Sequence, residues 1–319
     1  MTRARKEKVD LNQTCYYHCF SRCVRQSYLC GVDSETGKNY SYRKAWIVRR
    51  MQQVADAFAI GICAYAVMSN HYHIVIEVKP ELAASWDDMT VISQWSKLYP
   101  ADAKRAHILK SNGALALYKQ RVAQIRSHLT DLSWFMKSIN EWIAKESNED
   151  DQKKGRFWEG RFGSQALLDD VAILSAMTYV DLNPIRAGVC KTLEASDYTS
   201  IQARIQCYAA KQPQPDSLIP LFANQKQGIR FSLDDYLMLV ETSGRCLVEG
   251  KGHIPERLPV LLDRLVLQTE GWVTLIQELE DSFAYAVGSY EALSNFSLTK
   301  RNLKGWQLAK RLYMQRQAA

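Results

Sequence analysis

Two kinds of hydrophobic pattern alternate along the chain. From Thr14 to Val24 aromatic and β-branched residues are interspersed with polar ones, the composition of a strand, and residues 25–42 form a turn-rich connection containing Gly31 and Gly37. Between Tyr42 and Phe58 the side chains Ala45, Val48, Met51, Val54, Ala55 and Phe58 recur at three- and four-residue steps, which predicts an amphipathic helix. Two strongly apolar runs follow, 60–68 and 72–78, separated by Ser69-Asn70-His71, with Asn70 suited to a tight turn; together they predict a hairpin. Residues from about 81 to 146 read as helical, carrying Trp86, Trp95, Trp134 and Trp142, with breaks at Pro100 and at Ser111-Asn112-Gly113. A polar stretch, 147–154, precedes a Gly- and aromatic-rich loop from Gly155 that leads into a strand ending near Leu168. Asp169 and Asp170 then open a helix, where carboxylates complement the helix dipole, and Val171, Leu174, Met177 and Val180 continue it to Asn183-Pro184.

The order strand, helix, strand, strand, helices, strand, helix predicts an α+β fold: an antiparallel sheet with helices on one face. Residues 1–211 are expected to form this unit, with a helical insertion at about 82–130; residues 212–230, opening on Gln212-Pro213-Gln214-Pro215, form a linker, and residues 231–319 a helical C-terminal domain. No internal repeat is visible.

Composition adds less. An apolar share of 47% with 24% charged residues is globular and argues against disorder. The excess of 41 Lys and Arg over 34 Asp and Glu favours a polyanionic partner, but many soluble proteins share it. Cys15, Cys19 and Cys23 recur every fourth residue; on a strand they share a face but spread over more than ~25 Å, too far to converge on one ion, so reduced buried thiols are expected. The basic N-terminal residues lack the apolar stretch of a secretory signal, and no window has the ~20 apolar residues of a membrane span, so the expected location is cytoplasmic.

The candidate chemistry begins in the hairpin. Residues i and i+2 of a strand point to one face, so His71 and His73 present two imidazoles together, good ligands for a divalent ion, although a histidine in a strand is also an ordinary hydrogen-bonding residue. Phosphodiester cleavage by a protein nucleophile needs a hydroxyl, a Lewis acid and cations that hold the backbone. Tyr179 offers such a hydroxyl, and Asn183, one helical turn on, an amide oxygen on the same face. A core aromatic and a helix-ending residue before Pro184 are the structural explanations of the same two positions.

Three segments, Met68-Ser-Asn-His71-Tyr-His73-Ile-Val-Ile-Glu77, Gly155-Arg-Phe-Trp-Glu-Gly-Arg161-Phe162 and Tyr179-Val-Asp-Leu-Asn183-Pro-Ile-Arg-Ala-Gly188, resemble in order the signature segments of single-tyrosine HUH transposases, in particular the branch of REP-associated tyrosine transposases found as single-copy bacterial genes. The resemblance spans about residues 14–189. It implies a ferredoxin-like (RRM-like) palm, His71 and His73 with Asn183 as ligands of Mg2+ or Mn2+, and Tyr179 as the nucleophile that becomes linked to a 5′-phosphate. The implied substrate is single-stranded DNA near hairpins, and the implied location cytoplasmic and nucleoid-associated. The long helical stretch before Gly155 and the segment after Phe231 depart from compact family members. Arg156, Arg161 and Arg186 are then the expected phosphate contacts, Phe157 and Trp158 the expected base-stacking aromatics, and Lys300, Arg301 and Lys304 a basic helical end beside DNA; His18 and Arg22 are expected to line the groove. The structural alternatives are core rings at 157 and 158, solvated arginines, a solvated charge run, and a packed strand histidine at 18. Two other functions fit the same residues: a domesticated binder of structured DNA or RNA that does not need Tyr179, and a metal-dependent hydrolase with no covalent intermediate.

Overall fold

The computed structural model describes residues 9–24, 30–33, 37–223, 229–249, 262, 269–296 and 303–314; Lys300 and Arg301 lie outside them. Strand β1 (Tyr16–Arg22) takes the centre of a five-stranded sheet between β3 (His71–Val78) and β4 (Gly163–Leu167). With β2 (Ile60–Val67) beside β3 and β5 (Ala286–Val287) beside β4, the order is β2-β3-β1-β4-β5. The first four strands pair antiparallel, and with helix α1 (Arg43–Ala57) between β1 and β2 and helical chain between β3 and β4 they form a ferredoxin-like palm. The α+β class stands. The sheet is nonetheless mixed rather than antiparallel throughout, because β5 runs parallel to β4. The chain between these two strands is long enough to supply the crossover that parallel pairing demands.

The β2–β3 hairpin turns through Ser69-Asn70, closed by Met68 N–H donating to the His71 carbonyl at 2.9 Å. In α1 the core stripe is Ile47, Met51, Val54 and Ala57. It is rotated slightly from the predicted one, with Val48 and Ala55 half-buried at its margin.

The helical stretch resolves into α2 (Pro80–Ser85), α3 (Asp88–Ser96), α4 (Pro100–Ser111), α5 (Leu115–His128) and α6 (Leu132–Asp150). Its breaks follow local rules: Pro80 and Pro100 stand at helix starts, and Asp87 and Asp131 cap α3 and α6 by accepting from Thr90 N–H and Trp134 N–H.

Adjacent side chains on β3 show which helices cover which face. Tyr72 donates its hydroxyl to Asn140 of α6 at 2.6 Å, whereas the next residue, His73, meets the ring of Tyr179 on α7 (Asp170–Asp181). Helices α1 and α6 therefore share one face, as expected, but α7 occupies the other. The sequence of α7 explains this: every residue from Val171 to Asp181 is buried, and a helix apolar on nearly all sides needs cover on both flanks. Its outer side lies against α10 (Leu233–Glu249) and α11 (Thr269–Gln277), after the short α8 (Asn183–Arg186) and α9 (Ser200–Ala209).

The stretch expected to stand as a helical unit of its own thus covers α7 and also supplies β5. Its remaining elements are α12 (Leu279–Ser282), α13 (Tyr290–Asn295) and α14 (Leu303–Met314). It is tied to the palm by Ala166 N–H to the Tyr285 carbonyl (2.8 Å) and Leu168 N–H to the Val287 carbonyl (3.0 Å). One oxygen of Asp169 caps α7 through Ala172 N–H while the other accepts from Ser289 N–H at 2.6 Å. Among the described residues no helix is long and apolar enough to cross a membrane.

Arg43, 1% exposed, joins the start of α1 to the end of α6 by pairing with Asp150 and Asp151 while its guanidinium lies 4.1 Å from the Tyr40 ring centroid. Removing it leaves the buried Asp151 carboxylate without that partner. Arg43→Ala is expected to lower unfolding free energy by about 3 kcal/mol, read from urea denaturation, and a loss under about 1 kcal/mol would show that the pair is not a fastening.

Candidate metal and nucleophile site

Strand register builds the site. On β1 and β3, Phe20 is opposite His73 and Arg22 opposite His71, and on β4 Gln165 is opposite His18, so these side chains share the face that α7 covers. Gly163 is opposite Phe20, and a Cβ there would collide with the Phe20 ring, which lies 5.8 Å from the His73 ring. The glycine is what leaves room for the Phe20 ring beside the histidine.

His18 and His73 are buried and stacked at 5.2 Å, with His18 Nε2 3.0 Å from His73 Nδ1 and His18 Nδ1 2.7 Å from Gln165 Oε1. His71 stands edge-on to His73 at 4.9 Å; its Nδ1 is 2.6 Å from Asn70 Oδ1, and the Asn183 side chain lies beside its ring. Helix α7 sets the ring of Tyr179 5.6 Å from His73 and 5.9 Å from His18. The guanidinium of Arg186 on α8 lies 4.5 Å from the Tyr179 centroid. Pro184 occupies the first turn of α8, so the chain bends after α7 without unwinding and Asn183 falls at the joint, 8% exposed.

From α12 comes Glu280, whose Oε1 is 3.4 Å from His73 Nδ1 and whose carboxylate lies beside the Tyr179 hydroxyl. His18, His73 and Glu280 each offer a ligand atom within 4.8 Å of the others, so this His-His-Glu group could hold a metal ion. A second set on the same face, His71, His73 and Asn183, offers two imidazoles and an amide oxygen.

Electrostatics keep the imidazoles neutral. Burial, then Arg22, pushes His71 down to about 4, with Glu280 and Asn183 opposing. Burial lowers His18, and burial with the neighbouring His18 and His71 holds His73 well below the usual imidazole range. The contact of His73 with Glu280 is therefore that of a neutral ring beside a carboxylate rather than an ion pair. Burial and then Glu280 raise the Tyr179 phenol well above its ordinary value, while Arg186 works against them. The hydroxyl carries its proton at neutral pH.

No family model matches the chain, and no curated protein matches it. Among solved structures it is similar to one described as "Structure of the REP associates tyrosine transposase bound to a REP hairpin". That similarity covers 65% of this chain and 86% of that chain, at 13% identity and a TM-score of 0.38.

The remaining site candidates scatter. Arg22, Arg161 and Arg186 are exposed, but Arg156 turns its guanidinium back onto the carbonyls of Trp158 and Glu159. Phe157 and Trp158 do not form a stacking platform over the histidines. Phe157 is 3% exposed, and Trp158 donates to the Asn140 carbonyl at 2.9 Å and packs on Tyr72, on the α6 face of the sheet. Burying their large apolar rings in the core outweighs presenting them to solvent. His18, expected at the groove wall, is instead fully buried beside His73. Lys304 is exposed on α14 and lines, with Arg311, Glu278 and Ser282, a cleft of about 440 Å³ against α12.

Sequence reading missed Gln165 and Glu280. Gln165 had a signal, being a buried-strand amide whose register with His18 follows once β4 is placed beside β1. Glu280 had none.

Proposed function

We propose that this chain cuts and rejoins single-stranded DNA, with Tyr179 as nucleophile, acting on hairpin-bearing substrates as the three motifs imply. The observation that carries the reading is the assembly of Tyr179 between Glu280 and Arg186, its ring 5.6 Å from His73. Residues 73, 179 and 280 converge from three distant parts of the chain. In the step, the Tyr179 oxygen attacks the scissile phosphorus, its proton passes to the neighbouring Glu280 carboxylate, and the P–O bond to the 3′-oxygen breaks. Glu280 hands that proton on to the leaving 3′-oxygen, so a 3′-hydroxyl is released and the 5′-phosphate stays on the tyrosine; the reverse step rejoins the strand. Arg186 faces the charge that develops, and the cleft at Lys304 and Arg311 offers a cationic path beside α12.

The donor set fits a divalent ion such as Mg2+ or Mn2+. His73 Nε2 is buried with no hydrogen-bond partner, and His71, His73 and Asn183 are the residues that would hold the ion. When bound, such an ion supplies Lewis-acid stabilisation of phosphate charge. The test is incubation with 5′- and 3′-labelled hairpin DNA and Mn2+, followed by denaturing electrophoresis. A protein-linked product carrying the label 3′ of the cut is expected; free cleaved ends with no linked product would favour a hydrolase.

Because the folded-state value of His71 is lowered to about 4, this ligand stays unprotonated as pH falls through 6.5. Mn2+ affinity, followed by electron paramagnetic resonance, is expected to hold between pH 7 and about 5 and to collapse towards 4. A midpoint near 6.5 would show that His71 is solvated as a ligand.

A further inference from the structure

We infer that Gln165 and His18 are positioning residues: a relay of hydrogen bonds beginning on the C-terminal segment fixes His73 with its proton on Nδ1 and so presents Nε2 as the ligand atom. The inference rests on the metal-dependent reading above and deepens it.

The logic runs from the outer end inward. The Gln165 side-chain amide faces two backbone carbonyls at one end, those of Leu279 (3.0 Å) and Phe283, at the two ends of α12. Two acceptors there require that end to be the NH2, because an amide oxygen would meet both with lone pairs. The other end, Oε1, can only accept, and the group 2.7 Å from it is His18 Nδ1. His18 therefore spends its one N–H on Gln165. Its Nε2 is left as a lone pair, and what lies 3.0 Å away is His73 Nδ1, which must then carry the proton of that hydrogen bond. A neutral His73 protonated on Nδ1 has a bare Nε2. This atom is the one that is buried with no partner.

His71 shows the same division. Its Nδ1 is 2.6 Å from Asn70 Oδ1, which leaves Nε2 for a ligand's role. Glu280 Oε1 lies 3.4 Å from His73 Nδ1 without a hydrogen bond of its own, so its charge sits on the protonated side of the ring and leaves Nε2 open.

The alternative is direct ligation by His18, His73 and Glu280. Their spacings of 3.0 and 3.4 Å match ligand atoms around one ion, which lie about 2.9 to 3.4 Å apart for bonds of about 2.0–2.1 Å. That arrangement requires removing the proton from His73 Nδ1 and breaking its bond to His18. The relay needs neither change.

Nitrogen-15 correlation spectra of the full chain at neutral pH, first without metal and then with Zn2+ as a diamagnetic probe, separate the two. Both His18 and His73 are expected to be protonated on Nδ1 without metal. Zn2+ is expected to shift His73 Nε2 strongly and to leave both His18 nitrogens near their starting values. Gln165→Leu is expected to mix the His73 tautomers and to weaken Zn2+ binding 10- to 100-fold, the usual size of an effect from the residue behind a metal ligand. A His73 protonated on Nε2, a His18 Nε2 that takes the metal shift, or an unaltered chain that binds no Zn2+ overturns the relay. The spectra of the unaltered chain decide even if the variant does not fold. None of these measurements uses DNA, so an absent covalent adduct beside the expected tautomers would sink strand transfer alone.

Discussion

Tyr179→Phe should bind hairpin DNA within about threefold of the unaltered chain and yield no protein-linked strand, with cleavage reduced by at least roughly 10³-fold. Removing the nucleophile of a covalent mechanism leaves only what binding and electrostatics contribute to water attack. The substitution deletes one oxygen from a ring that is 5% exposed, and the ring keeps its contacts with His73, His18 and Arg186. Stability is expected to change little or to rise, since the hydroxyl sits buried beside Glu280. Gel-shift titration and denaturing electrophoresis on the same preparation read both quantities. Cleavage that survives the substitution would favour a hydrolase, and a biological effect that survives it with full binding would favour a non-catalytic binder of structured nucleic acid.

The largest stability effect is expected at Asp181. This fully buried carboxylate, at the end of α7, accepts from Ser200 Oγ (2.5 Å), Ile201 N–H (3.0 Å) and Tyr236 Oη (2.5 Å), joining α7 to α9 and α10 at one point. Asp181→Ala strands three donors in the interior and should lower unfolding free energy by roughly 3–5 kcal/mol. Asp181→Asn should recover much of that, because its amide oxygen still accepts and its NH2 can donate to Tyr236.

The pH dependence adds a check. Burial raises Asp181 to about 6, so the fold binds this proton more tightly than the unfolded chain, and the group makes stability rise as pH falls from about 6 towards the ordinary carboxylate value near 3.9. His71, lowered to about 4, acts with the opposite sign over nearly the same range, its contribution being lost as pH falls below about 6.5. Asp181→Asn should therefore unmask a loss of stability on acidification that the unaltered chain partly offsets. Urea midpoints at pH 7, 6 and 5 measure it; identical slopes for the two proteins would show that Asp181 does not titrate in this window.

The elements legible in the sequence were those with a long, regular apolar signal. The β2–β3 hairpin, α1 and α7 each carry a period that a window of ten or more residues displays, and with them came His71, His73, Tyr179 and Asn183. Faces were harder. Nothing in the alternation of β3 says that Tyr72 looks towards α6 and His73 towards α7, and so the choice between stacking and core roles for Phe157 and Trp158 could not be made without the packing of α6. Strand β5 is two residues long, too short for any period, and its pairing depends on a partner far away in sequence. Glu280 was invisible for the same reason: an acidic residue on a four-residue helix is ordinary until α12 is set beside His73. His18 read as a groove residue because a histidine on a strand can face solvent or core, and only the register with Gln165 decides which.

The bond from Gln165 to the Phe283 carbonyl closes a loop of 118 residues. Contacts at such separation form late, because the chain must surrender the freedom of the whole intervening segment before they return anything. A chain made only as far as α11 contains Tyr179 and lacks α12. A part-made chain of this kind has its tyrosine but neither the Glu280 carboxylate nor the carbonyls that orient Gln165. The arrangement around His73 is therefore complete only once this distant segment has docked on the palm.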